Sequence, residues 1–163
     1  MAVYRLKEVQ NIPIGLPEAW DFFSHPANLA VMTPGYLNLK FTNELFGKTI
    51  YPGQVITYSV RPLLGISIFW MTEIKHVRDR EFFIDEQRAG PYSIWHHQHH
   101  FREIPGGVEM IDLVHYRIPG WVLGDLANRL FIRQQLKDIF KFRKQMVEEI
   151  FGIYTVEGGV VLG

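Results

Sequence analysis

One long segment near the C-terminus limits the folds available to this chain. Residues 125–151 contain neither proline nor glycine and are rich in Leu, Arg, Lys, Gln and Glu, which predicts a helix over about 124–151. The upstream part of this helix has a different apolar phase, which indicates a kink or a late start near residue 131. The other predicted elements are shorter, so this helix is the main one available to cover a sheet.

The chain before this helix is predicted to form seven strands and two short helices. A first strand at 3–12 ends at a proline–glycine turn, and Pro17 and Glu18 suit the first turn of a helix. A second short helix is expected at about 26–32. Turn-forming residues then delimit six further strands, at 37–43, 54–61, 66–78, 81–88, 93–103 and 108–118.

The dimensions of these elements predict an α+β fold with an internal cavity. Seven strands about 4.8 Å apart form a sheet on the order of 30 Å wide. One helix of about 10–12 Å diameter cannot cover such a sheet, so the sheet must curve around the helix. The chain contains 4 Trp, 7 Tyr and 12 Phe, an aromatic content that favours a cavity under the helix.

Composition argues against several functional classes. Lys and Arg total 17 and Asp and Glu total 17, whereas proteins that bind nucleic acid need a basic excess, so no nucleic-acid partner is expected. There is no cysteine, which excludes disulfides and thiolate metal sites. We find no apolar segment long enough for a signal peptide or membrane span, and we expect a cytoplasmic protein without stable membrane insertion.

Four of the seven histidines lie in the segment WHHQHHF, residues 95–101. Side chains alternate between the two faces of a strand, and the flanking aromatic residues mark one face as the inner one. The outer face, with His96 and His100, is expected to be exposed to solvent. The inner face consists of Trp95, His97, His99 and Phe101.

The following turn, Pro105-Gly106-Gly107, predicts a hairpin that brings an acidic residue to the inner histidines. A two-residue loop places His99 opposite Asp112, whereas a loop two residues longer places it opposite Val114. Asp112 and Tyr116 share the inner face in either register. A buried carboxylate beside an imidazole fixes the tautomer and raises the imidazole pKa.

Other polar residues are predicted to face the interior. Arg143 falls within the apolar stripe of the long helix, where it either pairs with Asp112 or Asp85 or contacts an oxyanion of a ligand. Trp70 and Asp85 share one face of two strands joined by the Asp79-Arg80 turn, and a buried Asp85 would require a partner.

The order of elements and four sequence stretches resemble the helix-grip fold of the START-like (SRPBCC) superfamily, within its bacterial ligand-binding or polyketide cyclase-like branch. The resemblance implies a seven-stranded curved antiparallel sheet wrapped around the C-terminal helix, with two short helices after the first strand. It also implies one ligand-binding domain over 1–151 and a glycine-rich tail over 152–163. The four stretches are AWDFFSHPANLAVMTP at 19–34, FIDEQRAGPYSIWHHQHHF at 83–101, DLVHYRIP at 112–119 and LFIRQQLKDIFKFR at 130–143.

We therefore expect a protein that binds or carries a small hydrophobic molecule in its cavity. The alternative is a polyketide cyclase or dehydratase-like enzyme in which His97, His99 and Asp112 move protons. The residues expected to contact the ligand are Trp70, Asp85, Trp95, His97, His99, Phe101, Tyr116 and Arg143.

The sequence also raises the possibility of a metal site at the inner histidines and of an apolar rim at the cavity mouth. His97 and His99 can ligate zinc with Asp112 as a third ligand, but imidazoles satisfied by carboxylates or hydroxyls are commoner, so no metal or cofactor is expected. Apolar residues at Leu63-Leu64-Gly65 and at 120–123 are predicted to form a rim around the cavity mouth. Such a rim suits a portal, a homodimer contact or brief membrane docking.

Overall fold

Seven antiparallel strands form one curved sheet in the order β1-β7-β6-β5-β4-β3-β2. The computed structural model describes residues 2–44, 49–63, 65–120, 126 and 128–155. The strands are β1 Tyr4–Ile12, β2 Lys40–Phe41, β3 Val55–Leu63, β4 Ile66–Arg78, β5 Phe82–Ala89, β6 Ile94–Ile104 and β7 Gly107–Arg117.

The described residues form the helices α1 Leu16–Phe23, α2 Asn28–Val31 and α3 Arg133–Phe151. A π-helical turn, Asn128–Ile132, precedes α3, so the regular part of the long helix starts near the late boundary that the apolar phase indicated. The predicted helix residues 124, 125 and 127 lie outside the described part of the chain. None of the described helices is both long enough and apolar enough to cross a membrane.

The predicted second strand at 37–43 is wrong at its start, because the chain turns there instead. Gly35–Leu37 forms a 3-10 turn, and Asn38 follows with a left-handed backbone at φ 45°. That conformation is incompatible with an extended strand, and β2 is reduced to two residues.

The hairpin between β6 and β7 uses the shorter of the two predicted loops. Ile104 pairs with Gly107, and His99 therefore lies directly opposite Asp112. Gly106 has a φ of 77°, a value that favours glycine in a two-residue turn. The register of this hairpin sets which polar groups meet on the inner face of the sheet.

Helix α3 packs on the concave face of the sheet through one apolar stripe. Leu136 and Phe140 form a cluster with Val114 and Tyr116 of β7, while Val147 joins the larger core. Arg143 lies between Phe140 and Val147 on that stripe, so its side chain points toward the sheet and is only 12% exposed.

The predicted glycine-rich tail is described only over residues 152–155. There the Tyr154 hydroxyl donates a hydrogen bond of 2.6 Å to the Pro105 carbonyl, which ties this segment to the β6–β7 turn. The division into a domain over 1–151 and a tail over 152–163 stays a prediction.

Candidate functional site

A cavity of about 370 Å³ lies between the concave face of the sheet and the helices. Its volume falls within the range of small-molecule pockets, about 300–1,000 Å³. Most of its lining is aliphatic or aromatic, and the largest wall residues include Tyr58, Trp70, Tyr92, Trp95, Leu136 and Phe140. Phe131, in the π-helical turn, also lines the cavity although it is 62% exposed, which places that turn at the mouth.

A polar cluster interrupts this apolar wall. It consists of Asp85 on β5, His97 and His99 on β6, Asp112 on β7 and Arg143 on α3. Each of these side chains is at most 14% exposed. Asp85 pairs with His97 and His99 pairs with Asp112 across neighbouring strands, so the sheet register brings the four strand residues together.

Asp112 is the centre of the cluster, because three positively charged or N–H groups converge on its Oδ1 atom. His97 Nε2 lies 2.8 Å away, His99 Nδ1 2.9 Å away and Arg143 Nη1 3.3 Å away. Burial alone would raise the pKa of the Asp112 carboxyl, but the charge of Arg143 and the two imidazoles hold it well below its usual range. Asp112 is therefore an ionised anchor.

Asp85 contacts the same two imidazoles from the other side. Its Oδ2 atom accepts a hydrogen bond from His99 Nε2 at 2.9 Å and lies 3.7 Å from His97 Nδ1. Burial raises the pKa of Asp85, but the His99 hydrogen bond and the charges of His97, His99 and Arg143 outweigh that effect and lower it. Each imidazole thus lies between two ionised carboxylates.

The pKa values of the two histidines shift in opposite directions. Burial lowers the pKa of both, but the contacts with Asp112 and Asp85 outweigh burial at His99 and raise its pKa. At His97, burial and the neighbouring charge of His99 lower the pKa and favour the neutral ring. Since Asp112 can only accept, the neutral His97 donates from Nε2, and its Nδ1 lone pair points away from Asp112.

Aromatic rings hold the cluster in place. Phe83 stacks on His99 with ring centroids 4.0 Å apart, and Phe140 approaches His97 edge-on at 5.8 Å. The Arg143 guanidinium lies 5.4 Å from the centre of the Phe23 ring. These contacts narrow the range of rotamers open to the polar groups.

The structure separates the predicted ligand-contact residues into two groups. Those that line the cavity are Trp70, Asp85, Trp95, His97, His99 and Arg143. Phe101 contacts Trp20 and Phe23 in the packed core, and Tyr116 contacts Tyr4 and Trp95, so neither of them lines the cavity. Asp112, which the sequence predicts as a proton-transfer residue, does not line the cavity either.

Sequence reasoning missed a second polar spot in the cavity. Trp70 Nε1 donates to Thr72 Oγ1 at 3.0 Å, and the Tyr58 hydroxyl lies 3.5 Å from the same atom. Ile56, Tyr58 and Val60 stand at every second position of β3, so they share one face, and all three are buried. This period of two would have predicted that Tyr58 points inward.

Tyr92, a second wall residue that sequence reasoning missed, lies in the loop before β6, where no periodicity indicates a side chain's direction. The Gln87 side chain holds this loop by bonding both the amide and the carbonyl of Tyr92.

The outer histidines behave as expected in direction but are only partly exposed. His96 Nδ1 lies 2.8 Å from Glu86 Oε1, and its side chain is 31% exposed. Parts of the expected rim, Leu64 and residues 121–123, lie outside the described residues.

Comparisons with known proteins identify the fold. No protein-family model matches the sequence, and no curated protein matches it. The ginseng major latex-like protein 151 from Panax ginseng is similar, with a TM-score of 0.66, 12% identity and coverage of 91% of this chain and 97% of that one. Ara h 8.0201 is similar with a TM-score of 0.57, 16% identity and coverage of 90% and 98%.

A bacterial structure extends the likeness. A putative uncharacterized protein from Rhizobium leguminosarum gives a TM-score of 0.64 at 14% identity, with coverage of 90% of this chain and 95% of that one. At these identities the comparisons support the helix-grip fold and do not identify the ligand or the activity.

Replacing Asp112 by asparagine is expected to destabilise the protein by about 3–5 kcal/mol, because it removes the buried carboxylate that pairs with Arg143 and one of the two that flank His99. Urea unfolding followed by circular dichroism measures the change. The matched control is Glu109→Gln on the same strand as Asp112, β7, which removes the partner of Arg102, a residue of β6 whose side chain is 72% exposed. The control should cost no more than about 1 kcal/mol. Equal losses in the two variants would contradict the anchoring role of Asp112.

Proposed function

We propose that this protein binds or carries a small hydrophobic molecule in the cavity, with a polar or anionic group of that molecule directed at the polar cluster. The observation that carries the proposal is the combination of an apolar, aromatic wall with polar groups confined to a few positions. Such a surface favours an apolar body by burial and one orientation by hydrogen bonding.

Three groups of the cluster are placed to contact the polar end. His97 Nδ1 offers a lone pair, since its other ring nitrogen is held by Asp112. Arg143 lines the cavity and can pair with an oxyanion while it keeps its contact with Asp112. Asp85 can accept a hydrogen bond from a hydroxyl. A ligand with a hydroxyl or acid at one end therefore fits this wall best.

Filling the cavity with a larger side chain should weaken the binding of an apolar molecule. Ile139 lines the cavity on α3, and Ile139→Trp is expected to lower the affinity for an environment-sensitive apolar dye at least tenfold. Fluorescence titration measures this, and circular dichroism checks the fold.

Ile150→Trp, on the same helix at a 43% exposed position, is the control and should bind the dye as the unaltered protein does. Unchanged dye affinity in Ile139→Trp would contradict the proposal.

A second candidate function, a proton-transfer enzyme of the cyclase or dehydratase type, is favoured by one observation. His97 lines the cavity and donates from Nε2 to Asp112, which leaves Nδ1, 3.7 Å from Asp85 Oδ2, as the basic atom of an Asp–His pair.

If this candidate is right, His97→Gln should bind the host molecule yet leave it unconverted. Chromatography and mass spectrometry of the extracted ligand would then find different compounds in His97→Gln and the unaltered protein, including isomers of equal mass that a cyclisation produces. The same compound in both proteins would favour the carrier.

Three properties of the protein stay predictions from the sequence: membership of the bacterial ligand-binding or cyclase-like branch, a cytoplasmic location, and a homodimer formed through the apolar rim.

A further inference from the structure

We infer that Asp85, His97 and His99 form a binding site for one divalent transition-metal ion on the cavity wall. Each residue offers one ligand atom, and the three atoms lie within 4.8 Å of one another. The inference goes beyond the proposed function, since an apolar molecule can occupy the cavity with or without an ion.

The distances between the ligand atoms fit a common metal ion. Donors bound to zinc at about 2.0–2.1 Å with tetrahedral angles lie about 3.3 Å apart. His99 Nε2 is 2.9 Å and His97 Nδ1 is 3.7 Å from Asp85 Oδ2, values on either side of that spacing. Small side-chain rotations and release of the His99 Nε2 proton to solvent would bring all three donors to one ion.

Asp112 supplies an independent argument, because it occupies the second coordination shell. Histidines that bind metals usually direct their other ring nitrogen to a carboxylate, which fixes the tautomer. Here His97 Nε2 donates a hydrogen bond of 2.8 Å to Asp112 Oδ1, and Arg143 anchors that carboxylate. His99 Nδ1 lies 2.9 Å from the same oxygen, outside hydrogen-bond geometry. The other nitrogens of the two rings, His97 Nδ1 and His99 Nε2, face Asp85. The sequence suggested Asp112 as the third ligand, whereas the structure places Asp85 in that position.

The metal site opens toward the cavity, where the small molecule would bind. Asp85, His97 and His99 line the cavity, and Asp112 does not. Two imidazoles and one carboxylate with vacant positions suit zinc or ferrous iron. The vacant positions would face the cavity and accept an oxygen of the bound molecule.

Calorimetric titration of untagged, chelator-treated protein with Zn²⁺ tests the inference. We expect one ion per chain, with affinity reduced at least tenfold in Asp85→Asn and in His97→Gln. The matched control is His96→Gln on the outer face of the same strand. There the ring centroids of His96 and His115 lie 6.4 Å apart, so this pair is an alternative place for Zn²⁺ to bind. The control should leave the stoichiometry and affinity unchanged.

Three outcomes would overturn the inference. They are no saturable binding to the unaltered protein, binding that survives Asp85→Asn and His97→Gln, and binding that His96→Gln removes. Circular dichroism shows whether each variant folds. The visible absorption of Co²⁺ added to the unaltered protein is a test that needs no variant. A Co²⁺ ion held by a small number of nitrogen and oxygen ligands gives intense bands, whereas the octahedral hydrated ion does not.

Dye titration in parallel separates this inference from the proposed function. Metal binding without dye binding would support the metal site and contradict the carrier. Dye binding without metal binding would contradict the metal site alone.

Discussion

The convergence of His97, His99 and Arg143 on one oxygen of Asp112 is the interaction on which the rest of the site depends. It joins strands β6 and β7 to helix α3 inside a region where an unpaired charge would be strongly destabilising. It also sets the tautomer of His97 and leaves the other side of both imidazoles directed at Asp85 and the cavity. Burial makes these constraints strong, because little solvent competes for the charges.

The cavity follows from the unequal coverage of the sheet by one helix. Helix α3 packs closely over β7 through Leu136 and Phe140, which contact Val114 and Tyr116. The inner faces of β3 and β4, with Tyr58 and Trp70, instead line open space. Helix α2 and the π-helical turn border that space. A sheet too wide for its helix therefore produces the binding volume directly.

Much of this architecture could be predicted from sequence. Alternation along WHHQHHF separated the inner histidines from the outer ones, and the glycine-containing turn allowed only two registers, one of which placed His99 opposite Asp112. Helical periodicity placed Arg143 within the apolar stripe, facing the interior. These inferences succeeded because they depend on local geometry. The start of α3 near residue 131 followed from a change of apolar phase in the same way.

The sequence could not predict which residues of the inner face line the cavity and which are packed away from it. Whether Asp85 or Asp112 faces the cavity depends on how the sheet curves around α3, and both residues share the inner face in any register. Phe101 and Tyr116 share that face too, yet core packing places them behind the wall. The short β2 depended on the left-handed backbone of Asn38, which residue type alone does not fix. Native mass spectrometry of untagged protein from its own host, compared with its denatured mass, tests directly whether the cavity holds a small molecule. We expect a non-covalent organic adduct that is absent from Ile139→Trp and retained in Ile150→Trp. An adduct that persists equally in Ile139→Trp, or a bare protein that also fails to bind apolar dyes, would contradict this expectation.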